Sequence, residues 1–74
     1  MTSPREPTRP GERIERDLRQ RIEADEWASG DQLPPLGELA EHYRASRETV
    51  ARVLRRLADD GLLVIRERWG TFRA

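Results

Sequence analysis

A mainly α domain closed by a small β-hairpin is the fold class the sequence predicts, on three observations. Apolar residues recur at helical spacing in three separate stretches: Ile14, Leu18 and Ile22; Leu36, Leu39, Ala40 and Tyr43; and Val50, Val53, Leu54 and Leu57. Only Arg44-Ala45 separates the second stretch from Ser46, a residue suited to capping the third. After Gly61 the pattern changes to a β-forming run, Leu62-Leu63-Val64-Ile65, which meets Thr71-Phe72 across a charged loop.

Composition bounds what such a domain can do. Seventy-four residues make one small domain with a modest core, since a chain this short buries only about 60% of its unfolded surface. The chain has no cysteine and a single histidine, His42. Disulfide frameworks, cysteine-based metal sites and multi-histidine metal sites are therefore excluded, and no cofactor is expected. There is no nucleophile with a base, no paired carboxylates in a pocket and no glycine loop that would cradle phosphates, so the chain is not expected to be an enzyme. No apolar run is long enough to cross a membrane and the N-terminus lacks the apolar region of a signal peptide, which predicts a cytoplasmic protein. The formal net charge is zero, yet residues 1–43 carry six arginines and ten acids while residues 44–74 carry eight arginines and four acids. A chain divided in this way can orient on a polyanion without being basic overall. Every basic residue is arginine, whose planar fork suits bidentate contacts and which is equally a mark of codon bias.

In chain order, residues 1–11 hold Pro4, Pro7 and Pro10 among charged and small residues and are expected to be a flexible N-terminal arm, with residues 12–74 the folded domain. Arg5 and Arg9 on that arm are expected to be idle rather than in a minor groove. A helix is predicted over 12–26, its narrow apolar stripe flanked by i,i+4 pairs such as Glu15 with Arg19 and Asp17 with Arg21. Gly30-Asp31 punctuates the chain, and the prolines at 34 and 35 push Gln32-Leu33 into an extended piece able to add a strand. Residues 36–43 follow as a short amphipathic helix, then Arg44-Ala45 as a tight link. The third helix, 46–60, starts at Ser46 and ends before Gly61, a natural left-handed C′ residue. Nothing in the sequence explains Asp59-Asp60 at the negative end of its dipole.

The third helix has two faces. At about 100° per residue, Val50, Val53, Leu54 and Leu57 share one arc, and Arg47, Glu48, Ala51, Arg52 and Arg55 the opposite one. Small Ala51 in the middle leaves room for a flat, bulky partner to approach, and an arginine-bearing helix start suits a major groove between phosphates. By itself such a face is equally the solvated side of any surface helix. A short helix, a tight link and a capped helix form a helix-turn-helix. With the hairpin and its tip, Arg66-Glu67-Arg68-Trp69-Gly70, the assembly is a winged helix-turn-helix of three helices plus a two- or three-stranded antiparallel wing.

An ordered set of segments resembles the DNA-binding domain of the GntR family of bacterial transcription regulators over about residues 14–73. These are Ile22 with Glu26-Trp27, Gly30-Asp31-Gln32-Leu33-Pro34, Glu38-Leu39-Ala40, Ser46-Arg47-Glu48-Thr49-Val50, Leu54 through Leu62, and Gly70-Thr71-Phe72. The resemblance implies a repressor-type domain that binds a short palindrome in double-stranded DNA as two copies, with helix 46–60 in the major groove and wing 66–71 near the minor groove. It places Ser46, Arg47 and Thr49 at the start of the recognition helix and Gly70 and Thr71 at the wing tip. Arg47 would then pair with a guanine and the hydroxyls of Ser46 and Thr49 would meet phosphate. Arg52 and Arg55 would reach a base or a phosphate, and Arg66 and Arg68 would neutralise phosphates beside the groove.

Departures from the family pattern are local. Pro35 and Gly37 stand where a capping serine and a DNA-contacting arginine are usual, Ala51 replaces an arginine, Arg44 occupies a common glycine place in the turn, and Arg68 the first glycine of the wing. Trp69 beside it is expected to pack against protein rather than DNA. The sequence ends at Ala74, directly after the wing, so a stand-alone domain with no small-molecule effector site is expected, against the alternative of a fragment of a longer effector-responsive regulator. A winged helix used for protein–protein contact, through Trp69 and the acidic first helix, is the alternative of another class.

Overall fold

The structure, a computed structural model, describes residues 11–74. They form α1 (Glu12–Glu23), α2 (Leu36–Tyr43), α3 (Arg47–Asp59) and the strands β1 (Leu63–Arg66) and β2 (Gly70–Arg73). The arm expected over 1–11, with Arg5 and Arg9, lies outside the described residues except for Gly11, the N-cap of α1. The strands pair antiparallel in the register Leu63 with Arg73, Val64 with Phe72, Ile65 with Thr71 and Arg66 with Gly70. Among the described residues a third strand does not develop. Gln32 makes an isolated bridge to Phe72, and the flanking backbone follows β2 through Gly30 N–H to Arg73 O, Arg73 N–H to Asp31 O and Leu33 N–H to Thr71 O, each 2.8 Å.

The core is wholly apolar: Leu18 and Ile22 of α1, Leu33 of the linker, Leu39 and Ala40 of α2, Val50, Val53, Leu54 and Leu57 of α3, and Leu63 of β1. Each α3 member lies on the arc that the apolar period marks, and α3 packs on α1, α2 and β1. Burial at this helix therefore fixes which residues must face outward.

All three helices stop in the same way. After α3, Leu62 N–H bonds to Leu57 O and Gly61 N–H to Ala58 O, with Gly61 at φ 84°. After α2, Ala45 N–H bonds to Ala40 O and Arg44 N–H to Glu41 O, with Arg44 at φ 55°. After α1, Glu26 N–H bonds to Arg21 O and Asp25 N–H to Ile22 O, with Asp25 at φ 60°. Each is a Schellman ending around a left-handed residue, and only the last helix uses glycine there. This is why α1 ends at Glu23, short of the expected 26: Asp25 accepts the left-handed turn, and Arg21 then reaches forward to bond Glu26 at 2.6 and 2.9 Å.

Candidate nucleic-acid interface

The recognition-helix start is built by its own sequence. Ser46, extended at φ −73° and ψ 154°, accepts Thr49 N–H at 3.1 Å and donates its hydroxyl proton to Thr49 Oγ1 at 2.9 Å. The cap thus spends the Ser46 hydrogen internally and leaves Thr49 with a hydroxyl hydrogen to give. Thr49 is part-buried because its methyl group lies against Gly11: a Cβ at Gly11 would stand 3.1 Å from Thr49 Cγ2 and 2.7 Å from Val53 Cγ2. Arg52 and Arg55 are exposed on the opposite arc beside part-buried Ala51, whereas Arg47, expected there too, is exposed at the first turn but lies beside the apolar arc, seven residues before buried Leu54, and reaches toward α2 at Gly37.

The arginines divide into two groups. Most of those around α1 are paired: Arg16 with Glu12, Arg19 with Glu15 and with Asp60 at 2.6 Å, Arg21 with Glu26, Arg56 with Glu15 at 3.1 Å, and Arg73 with Asp25 at 3.1 Å, while Arg13 at the start of α1 is exposed and has no carboxylate partner among the described residues. Asp60, unexplained in the sequence, is thus the anchor that holds the end of α3 to α1, while nothing in the structure explains Asp59. Arg44, Arg47, Arg52, Arg55, Arg66 and Arg68 are exposed and, among the described residues, have no carboxylate partner. Adjacent Arg55 and Arg56 fall in different groups because one helical step turns Arg56 toward α1.

The expected Asp17–Arg21 pair is made through a third group: the Tyr43 hydroxyl donates to Asp17 at 2.5 Å and accepts from Arg21 at 2.8 Å, joining α1 to the end of α2. Burial, reinforced by the bond to Asp17, pushes the phenol up to about 12. The bond to Arg21 holds the Glu26 carboxyl below its usual range, and Glu26 in turn raises Arg21. Arg21 also covers the Trp27 ring at 4.8 Å. This cluster is structural.

At the wing, Arg66 and Arg68 are exposed and Trp69 N–H bonds to Arg66 O at 3.0 Å to close the turn. Arg68 takes the left-handed conformation of the glycine it replaces, at φ 76°. Gly70, at φ 120°, serves the fold: Gln32 Nε2 bonds to Trp69 O at 2.7 Å and passes where a Cβ on Gly70 would stand, at 2.5 Å. Sequence reasoning missed this tie, since a linker glutamine carries no local signal of a bond to the wing. Thr71 is part-buried in β2. Trp69 is 72% exposed, so it does not pack against its own chain. Among the described residues no group of three or more His, Asp or Glu side chains is placed to hold a metal ion, and no helix is long and apolar enough to cross a membrane.

Residues 10–72 match the gntR family of bacterial regulatory proteins. The chain belongs to this GntR family. Over 63 residues it is 36% identical to the histidine utilization repressor of Klebsiella aerogenes, covering 85% of this chain and 26% of that protein. Over 50 residues it is 40% identical to the HTH-type transcriptional regulator TreR of Bacillus subtilis, covering 68% and 21%. The chain therefore spans about a quarter of the length of these relatives. In three dimensions it is similar to Streptococcus agalactiae GntR, with a TM-score of 0.76 at 32% identity over 85% of this chain and 30% of the other. The same fold occurs in AraR(DBD), a structure solved in complex with operator ORX1, with a TM-score of 0.87 at 21% identity, covering 100% of this chain and 92% of that one. The molecule is a winged helix-turn-helix DNA-binding domain of the GntR family, a regulatory module.

Proposed function

We propose that the domain acts as a sequence-specific, repressor-type transcription regulator in the cytoplasm, two copies occupying a short palindrome with the helix 46–60 in the major groove and wing 66–71 near the minor groove. The observation that carries this is the set of six arginines from Arg44 to Arg68 left without an internal carboxylate, in the turn before α3, at its start, on its exposed arc and on the wing. A folded protein that pairs most of its arginines around α1 and leaves these bare has kept them for an external anion. Arg47 makes a bidentate contact to a guanine, Thr49 gives its free hydroxyl hydrogen to a phosphate, and Ser46 holds Thr49 in place or exchanges that bond for phosphate. Arg52 and Arg55 extend the contact along α3, Arg66 and Arg68 neutralise phosphates beside the wing, and Gly70 and Thr71 bring its backbone close. No small-molecule effector site belongs to this reading of the chain.

Selection of bound duplexes from a random pool supplies the operator, and its half-site symmetry tests the two-copy arrangement. With about four phosphates neutralised per copy, log K falls against log salt with a slope of roughly −3.6 per copy. The Arg47→Ala variant is expected to bind the selected duplex about five- to a hundredfold less tightly. Unchanged affinity in that variant would remove the main support. The 72% exposure of Trp69 favours a second reading, contact with another protein. Of the carboxylates of α1 that it would require, Glu12 and Glu15 are engaged with arginines and Asp17 with Tyr43 of the same chain.

A further inference from the structure

Gly37 lies in the first turn of α2, and its missing side chain has an occupant. A Cβ built there would stand 2.7 Å from Arg47 Nη2, 3.2 Å from Cζ and 3.5 Å from Nε, and these three atoms of one guanidinium are its nearest neighbours. The guanidinium of the recognition helix therefore rests on the bare backbone of α2. Any side chain at 37 would have to share that space. Arg47 has no carboxylate partner among the described residues, so packing against this surface is what restrains it.

We propose that Gly37 is a positioning residue for base reading: it supplies the seat that holds the Arg47 guanidinium in one orientation before DNA arrives, and so sharpens the preference of Arg47 for its base. This rests on the reading of Arg47 as a base contact. A long side chain fixed in advance loses less freedom on binding, and one such restraint is worth about two- to tenfold in affinity. The physical consequence is a trade. An arginine at 37 would add a contact of its own and evict Arg47 from its seat, whereas glycine there gives up that contact and confines the neighbour.

The test is a cycle of four proteins, wild type, Gly37→Ala, Arg47→Ala and the double variant, measured against the selected duplex and its single-base-pair variants. Alanine at 37 is safe for the fold. Gly37 has no left-handed φ, the displaced atoms are the far end of a flexible side chain, and alanine favours a helix over glycine. The melting temperature is accordingly expected to hold or rise. Gly37→Ala is expected to weaken binding about two- to tenfold, to flatten discrimination at the base pair where Arg47→Ala also flattens it, and to have no effect when Arg47 is already alanine. Unchanged or tighter binding by Gly37→Ala, or an equal loss in the Arg47→Ala background, would overturn the proposal. The Arg47 Nε–H resonance of the DNA-free protein separates this from failure of the base-reading assignment. If Arg47→Ala binds DNA normally, base reading fails, yet a shift of that resonance toward the position of a free arginine in Gly37→Ala still establishes the seat. A resonance already at the free position in the wild type refutes it.

Discussion

The two sides of α3 use the same residue type for opposite purposes. Toward α1, Arg56 meets Glu15 and Arg19 meets Asp60, so guanidinium groups close the seam between helices. Away from it, Arg47, Arg52 and Arg55 meet no carboxylate among the described residues, and the same holds for Arg66 and Arg68 on the wing. Net charge conceals this division: a chain with equal numbers of acids and bases can neutralise most of one side and leave a concentrated positive field on the other. What decides whether an arginine stabilises the fold or serves a ligand is the company its helical position gives it.

The sharpest way to break the paired side is at the seam itself. Gly11 combines a φ of 89° with contact to fully buried Val53, whose methyl group would stand 2.7 Å from a new Cβ. Gly11→Ala is expected to cost about 3 kcal/mol in chemical denaturation from strain and overpacking together. Arg56→Ala, which takes from the largely buried Glu15 its 3.1 Å partner, closer than Arg19 at 3.4 Å, is expected to cost about 2 kcal/mol. Its effect on operator affinity should be smaller than that of Arg55→Ala, the residue next door.

Tyr43→Phe removes two hydrogen bonds joining α1 to α2 and is expected to cost about 1 kcal/mol. Its pH dependence has a definite sign. The folded phenol titrates near 12, above the unfolded value of about 10, so the unfolded chain loses its proton first. Stability from this group is complete below pH of about 10 and falls as pH rises toward 12. Alkaline denaturation should show that limb in the wild type and lack it in Tyr43→Phe. The smallest effect is a gain: Arg44 holds a left-handed φ of 55°, and Arg44→Gly is expected to raise stability by about 0.5 kcal/mol, the relief of strain outweighing the entropy of glycine.

Periodicity made the core and most of the exposed arc of α3 legible, because burial of Val50, Val53, Leu54 and Leu57 leaves Arg52 and Arg55 no other direction, whereas Arg47, seven residues before Leu54, turns toward α2. The same period separates Arg55 from Arg56. The helix ends were legible at α2, expected over 36–43, and at α3, where Gly61 marks the stop, but not at α1. Asp25 and Arg44 make the same turn without the composition that announces it. Long-range side-chain partners were not legible, although the pairing of the wing strands and the approach of Gln32-Leu33 to the sheet were. The ties of Asp60 to Arg19, Gln32 to the backbone of Trp69, and Arg47 to the surface of Gly37 join residues distant in sequence, whose meeting depends on how the helices pack. The resemblance marked position 37 as a lost contact, whereas the structure shows the vacated space in use.

The division of arginines is tested most directly by a matched alanine series, Arg47, Arg52, Arg55, Arg66 and Arg68 against Arg19, Arg21, Arg56 and Arg73, with operator affinity across a salt titration and melting temperature measured on each variant. The account predicts that the first group loses affinity and salt sensitivity at unchanged melting temperature, and that the second loses melting temperature while the salt slope stays as in the wild type. Equal losses of affinity in both groups, or a salt slope that follows the second group, would contradict it.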